Sequence, residues 1–117
     1  MSSLGPRNEI PPGTLEMLIL NTLRRAGQIH GFAIAEAILE SSEGVLRVEE
    51  GSLYPALQRL LLKGWIDGAW GKTGENRRAR YYRLTDEGRR QLELETERYR
   101  RVARAIARVL APAEGVL

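Results

Sequence analysis

In Gly51-Ser52-Leu53-Tyr54-Pro55-Ala56-Leu57-Gln58-Arg59-Leu60-Leu61-Leu62-Lys63-Gly64, the leucines at 53, 57, 60 and 61 recur at i, i+4, i+7 and i+8. That spacing is one buried face of an α-helix. Pro55 stands against it, because a proline inside a helix lacks an N–H and clashes with the carbonyl four residues back. The conflict eases if Ser52 is the N-cap. Pro55 then falls in the first turn, where backbone N–H groups have no helical partner. The proline therefore predicts a helix start at Gly51 or Ser52, and Gly64 predicts its end. Gly51, Pro55, Gln58, Arg59, Leu62 and Lys63 fall on the side away from the leucines.

Two further helices are expected upstream. Leu15, Leu18, Ile19, Thr22 and Leu23 share one helical face, with Thr14 as N-cap and Gly27 as stop. Ile34, Ala35, Ile38 and Leu39 share another face, in a helix that opens after His30-Gly31 and ends near Ser41 to Gly44. Met1 to Pro12, with prolines at 6, 11 and 12, reads as a flexible arm. Downstream the period changes. Trp65 to Trp70 and Ala79 to Leu84 are short and aromatic, and the turn-forming segment 71–77 lies between them, so a β-hairpin with a basic tip is expected. Thr85 then caps a long helix whose first turn carries Asp86 and Glu87, matching the helix dipole. It is expected to run to Leu110, about 37 Å at 1.5 Å per residue. Leu92, Tyr99, Val102, Ile106 and Val109 follow a/d heptad spacing on it, and Leu110 adjoins them. A narrow apolar seam on a long helix packs against another helix, and a second copy of the chain is the expected source.

The chain has 117 residues, so it is one domain or one domain with an appendage. Its segments divide into the arm 1–12, a unit 13–84, the helix 85–110 and a tail 111–117. No cysteine excludes a disulfide scaffold and a thiolate zinc site, and one histidine excludes a multi-histidine metal site. No cofactor is expected. Apolar runs are far short of the ~20 residues that span a bilayer, and no secretion signal opens the chain, so a cytoplasmic protein without membrane partner is expected. The net charge is +3, but it is unevenly spread: residues 31–50 carry −4 and residues 72–90 carry +4. Arginine supplies all of the Lys+Arg total of 18 except Lys63 and Lys72. Its planar fork suits phosphate and guanine. A concentrated basic segment points to a polyanion, or else to a solvated charged loop.

The fold class expected is mainly α (α+β): a winged helix-turn-helix with a two-stranded wing and a long C-terminal dimerisation helix. In such a unit the third helix enters the major groove. Gln58 can pair with adenine and Arg59 with guanine, and Arg59 and Lys63 can equally hold phosphates. Ser52, beside the helix N-terminus, can donate to a phosphate. Each is also an ordinary residue of a helix surface. The arginine-rich tip shifts the balance, since Arg77, Arg78 and Arg80 follow a glycine-bearing turn, as a backbone-gripping wing requires.

The run Gly51-Ser52-Leu53-Tyr54-Pro55-Ala56-Leu57, then Gly64-Trp65-Ile66, then Arg78-Ala79-Arg80-Tyr81-Tyr82-Arg83-Leu84-Thr85 with Gly88, resembles the PadR family of winged-helix transcriptional regulators. His30-Gly31-Phe32 is similar to that family's His-Gly-Tyr, with Phe for Tyr. The resemblance spans about residues 14–110. It implies a dimeric repressor of double-stranded DNA with a short C-terminal region. By the same resemblance Ser52, Tyr54, Pro55, Gln58 and Arg59 belong to the recognition helix, Arg77, Arg78 and Arg80 to the wing, and Gly31 and Phe32 to the backbone-proximal start of the second helix. Phe32 lacks the hydroxyl that a tyrosine would offer a phosphate. Some relatives bind flat aromatic ligands between their long helices. A small-molecule inducer is therefore a further partner to consider, although no tryptophan lies in this helix.

Several residues carry simpler readings. His30 more often bonds nearby backbone than performs chemistry. Tyr81, Tyr82, Trp65 and Trp70 are expected to pack the hairpin onto the helices. The acidic carboxylates of 31–50 should mostly face away from a duplex. The competing function is a protein-interaction module, in which the basic hairpin meets an acidic surface. An enzyme finds no support: no nucleophile, base and orienting group share a usable spacing.

Overall fold

Helix α1 (Leu15–Ala26) is the hub on which the rest of the chain is packed. A computed structural model describes residues 10–113. After α1 come β1 (Gln28–His30), α2 (Gly31–Ser41), α3 (Glu50–Lys63), β2 (Ile66–Lys72), β3 (Arg78–Leu84) and α4 (Asp86–Leu110). Most of the expected arm, and the tail beyond residue 113, lie outside the described residues. Ile10 is described and packs against the core.

The face of α1 differs from the one its spacing suggests. Met17, Ile19, Leu20 and Leu23 are buried, while Leu15 and Leu18 are only partly covered. A helix touched by α2, α3, α4 and the sheet buries more than one stripe, so a single-face reading selects too few positions. Thr14 is also not a side-chain cap. Its hydroxyl donates to the Pro11 carbonyl at 2.7 Å, and its backbone is helical rather than extended. The core is completed by Ile34 and Ile38 of α2, Leu53, Ala56, Leu57 and Leu60 of α3, and Ile66, Tyr82 and Leu84 of the sheet.

Helix α3 begins earlier than the proline suggests. Glu49 is the N-cap and Ser52 already lies within the helix, so Pro55 sits inside it, past the first turn. Ser52 and Leu53 N–H groups both donate to the Glu49 carbonyl, at 3.0 and 2.9 Å. Pro55 leaves the Gly51 carbonyl without its usual donor, and Gly51 is solvent-exposed, where water can replace it. The end is as expected. Gly64 adopts φ 77° and ψ 18°, and the Trp65 N–H donates to the Leu60 carbonyl at 3.1 Å, a left-handed cap that glycine accommodates without strain.

The two-stranded wing is present, and a short third strand joins it. β1 pairs antiparallel with β3, giving the order β1-β3-β2, with Ile29 opposite Tyr82 and His30 opposite Tyr81. Three residues are too few to show a period, so this strand has no signature of its own. It covers the outer edge of β3.

Helix α4 packs only its first half on the domain. Leu92 is 2% exposed against α1, so it belongs to its own chain's core and not to the seam for a second helix. The helix then leaves the domain, and the molecule measures 60 Å along its longest axis. The helix starts against the wing: a Cβ on Gly88 would stand 2.1 Å from the Trp65 carbonyl oxygen and 2.9 Å from Leu84 Cδ1. Gly88→Ala is therefore expected to destabilise the fold by about 2–3 kcal/mol. Urea unfolding checks this, and a loss below ~0.5 kcal/mol would contradict the contact.

Candidate nucleic-acid interface

Helices α2 and α3 meet where a side chain is missing. A Cβ on Gly31, the first residue of α2, would lie 3.0 Å from Tyr54 Cε1 and 3.1 Å from its hydroxyl. The glycine lets the Tyr54 ring lie against the start of α2. His30 caps that start: its Nδ1 accepts the Ala33 N–H at 3.3 Å, and its ring meets Tyr81 edge-on at 5.6 Å. Phe32, next in sequence, is exposed beside Tyr54.

One face of the hairpin continues outward from this junction. Side chains alternate along a strand, so Ile66, Gly68, Trp70 and Lys72 of β2 share a face with Leu84, Tyr82, Arg80 and Arg78 of β3. Ile66, Tyr82 and Leu84 close the core. Burial pushes the Tyr82 hydroxyl above its ordinary pKa, although Arg80 opposes this. Further out, Arg80 crosses Gly68, where a Cβ would stand 2.7 Å from its Nε. That Nε is buried without a hydrogen-bond partner. At the outer end the Arg78 guanidinium lies 4.3 Å over the Trp70 ring. The turn is organised by Thr73, whose hydroxyl accepts from the Glu75 and Arg77 N–H groups at 3.2 and 3.3 Å. Asn76 there takes a positive φ of 63°.

These elements enclose an open cleft of about 980 Å³ between the wing and the helices. Gly31, Phe32, Tyr54, Arg77, Arg78 and Arg80 all line it. Glu36 lines it too, so one carboxylate of the acidic segment faces the basic side and not away from it. Ser52, Pro55 and Gln58 are exposed on α3. Leu62 is 83% exposed on the same outer surface.

Arg59 and Lys63 are placed elsewhere. They point along α3 to Glu16 of α1, with Arg59 Nε to Glu16 Oε2 at 2.7 Å and Lys63 Nζ to Oε1 at 2.9 Å. Burial pushes the Glu16 carboxyl up, but the two hydrogen bonds and charges outweigh it and hold the pKa below 4.5. On α4, Tyr99, Val102, Ile106, Val109 and Leu110 are exposed, so the apolar heptad positions are solvent-accessible from Tyr99 onward. Leu94 is exposed as well.

Residues 19–94 match the Transcriptional regulator PadR-like family. The chain belongs to that family. The transcriptional regulator of Clostridium thermocellum superposes with a TM-score of 0.76 at 26% identity, over 85% of this chain and 95% of that one. A PadR family transcription regulator of Clostridium difficile gives 0.72 at 29% identity, over 85% of this chain and all of its own. One from Eggerthella lenta gives 0.70 at 30% identity, over 84% and 82%. A protein of Lysinibacillus sphaericus is 28% identical over 86 residues, 74% of this chain and 78% of its own.

In this PadR-like chain the sequence misplaces Trp70. It is 60% exposed on the cleft wall and is not a core residue. Its neighbours decide this: the shared face is still over the core at the Gly68–Tyr82 pair and has left it by the next pair, Trp70 and Arg80. Glu16 is missed altogether, because nothing in a local pattern announces a partner 43 or 47 residues away. No described helix is long and apolar enough to cross a membrane. Among the described residues no cluster could hold a metal.

The Glu16 cluster has a pH signature. The folded carboxyl titrates below 4.5, so its stabilisation is complete above that value and is lost as the pH falls through the lower folded value. Glu16→Gln is expected to cost on the order of 1 kcal/mol at neutral pH. The difference from the native chain should shrink as the pH falls through the lowered folded value and vanish below it, where both side chains are neutral. Denaturant unfolding across pH measures it, and a difference independent of pH would oppose the ion-pair assignment.

Proposed function

We propose that this PadR-like protein is a sequence-specific DNA-binding repressor that acts as a homodimer on a roughly palindromic operator. One observation carries the reading. The outer face of α3 stands free, and the cleft beside it is walled by Arg77, Arg78 and Arg80 of the wing. A helix face of this kind enters a major groove while the flanking basic hairpin holds the backbone or the adjacent minor groove.

Exposed on α3, Gln58 can pair with adenine, and Leu62 can meet a thymine methyl. Ser52, Tyr54 and Pro55 lie at the end of α3 nearest α2 and contribute backbone contacts with Gly31 and Phe32. Arg78 stacks on Trp70, which keeps its guanidinium extended and leaves its N–H edges for phosphate. Two copies pair through Tyr99, Val102, Ile106, Val109 and Leu110, which places two reading helices on one side of a duplex. The dimer represses by occupying a promoter in the cytoplasm, without catalysing a reaction. A small-molecule inducer would act by changing the spacing of the two heads.

The reading is tested by selecting bound duplexes from a random pool. A shared palindrome is the expected product. Failure to enrich any sequence would favour a protein-interaction module. Replacing Arg77 and Arg78 by Ala should lower the slope of log K against log salt by about two per protomer, on every duplex. An unchanged slope would remove the wing from the interface. Gln58→Ala should cost ~1–3 kcal/mol of discrimination at one base pair of each half-site. Val102→Glu with Ile106→Glu should give a folded monomer by light scattering; a persistent dimer would place the interface elsewhere.

A further inference from the structure

Arg59 and Lys63 are the two cations of the recognition helix, and neither faces solvent as a free charge. Both meet the same carboxylate of α1. Lys63 Nζ also lies 4.5 Å over the Trp65 ring, so it is held on two sides. Arg59 is held differently. Among the described residues, Glu16 takes only its Nε–H, while the terminal N–H groups at the outer end of the fork bond nothing, and the side chain stays 54% exposed. A guanidinium tethered through Nε has fewer orientations open to it, yet its terminal N–H groups stay free to bond. That is the end-on geometry for guanine O6 and N7 or for a phosphate.

We propose that Glu16 is a specificity-determining residue: it neutralises Lys63 and positions the Arg59 fork, so that the recognition helix gains base discrimination at the expense of sequence-independent affinity. The proposal rests on the DNA-binding reading above. Its physical basis is that random-sequence binding comes from cations that neutralise phosphates and release counterions. Two unrestrained cations on α3 would grip any duplex. With Glu16 between them the three side chains carry a net charge of +1, and the residual charge sits on a directed fork. Glu16 itself touches no DNA.

The test compares duplexes from the selected pool with random duplexes of the same length, over a range of salt. Glu16→Gln frees one cation per protomer. Binding to random duplex should tighten roughly five- to tenfold at 0.1 M salt, and the salt slope should steepen by about one per protomer. Binding to the selected duplex should tighten much less, so the specificity ratio falls at least fivefold. Adding Glu16→Gln to an Arg59→Ala, Lys63→Ala chain should change neither quantity. Arg59→Lys keeps the charge but loses the held fork. It should reduce discrimination with little change in slope.

The proposal is overturned if Glu16→Gln leaves the random-duplex slope unchanged. It is also overturned if both duplexes tighten equally, or if the same gain appears without Arg59 and Lys63, which would make Glu16 a generic negative charge. The native chain separates this from the broader reading. If it neither binds duplex nor prefers any sequence, DNA recognition fails, and this inference with it. If it does both while the variants behave as the native chain, only the role of Glu16 fails.

Discussion

Thr85 joins helix α3, the wing and helix α4, the three parts of the molecule that the proposed function assigns to DNA or to a second copy. Its hydroxyl donates to the Gly64 carbonyl at 2.8 Å, at the end of α3, and accepts the Gly88 N–H at 3.0 Å, in the first turn of α4. Its own N–H donates to the Trp65 carbonyl at 3.1 Å, where the wing begins. The same carbonyl is the group that Gly88 approaches too closely for any side chain. Helix α3, both strands of the wing and the long helix α4 are thus bonded to one another within a few residues. In the proposed dimer these bonds would couple the angle between two α4 helices to the position of each reading head.

The electrostatics of the surface follow from which charges the fold leaves free. Arginines of the wing stack on aromatic rings: Arg78 on Trp70, and Arg80 5.9 Å from the centre of the Tyr82 ring. A ring restrains a guanidinium without neutralising it, so these cations remain available to an anion. On α3 the opposite holds, since a carboxylate meets the cations directly. One basic surface is therefore left charged and the other mostly compensated. Under the proposed function, that division separates gripping the backbone from reading the bases.

Much of the architecture could be read along the chain because it rests on short-range rules. The leucine spacing of α3, the left-handed Gly64, the Thr85 cap and the change of period at Trp65 each depend on residues within a turn or two of one another. Motif and charge point to Gly31, Phe32, Tyr54, Arg77, Arg78 and Arg80, and all of them line one cleft. Local rules fail where several partners compete for one element. The buried stripe of α1 is wider than a single face because it is packed from several sides, and the start of α3 is set by Glu49, ahead of the Ser52 to which the proline points.

What the chain determines alone is the order and type of its elements and the sign of charge along it, since periodicity, caps and composition are local properties. Tertiary structure decides which of those residues remain available. Leu92 and Tyr99 obey the same heptad spacing, yet one is buried on α1 and the other is open, because α4 leaves the domain between them. Trp70 and Trp65 look alike in sequence, but only the latter still lies over the core. Arg59 and Lys63 read as free cations until α1 brings Glu16 beside them. Exposure and charge compensation depend on distance in space, and a linear pattern carries no record of a contact between residues more than forty positions apart.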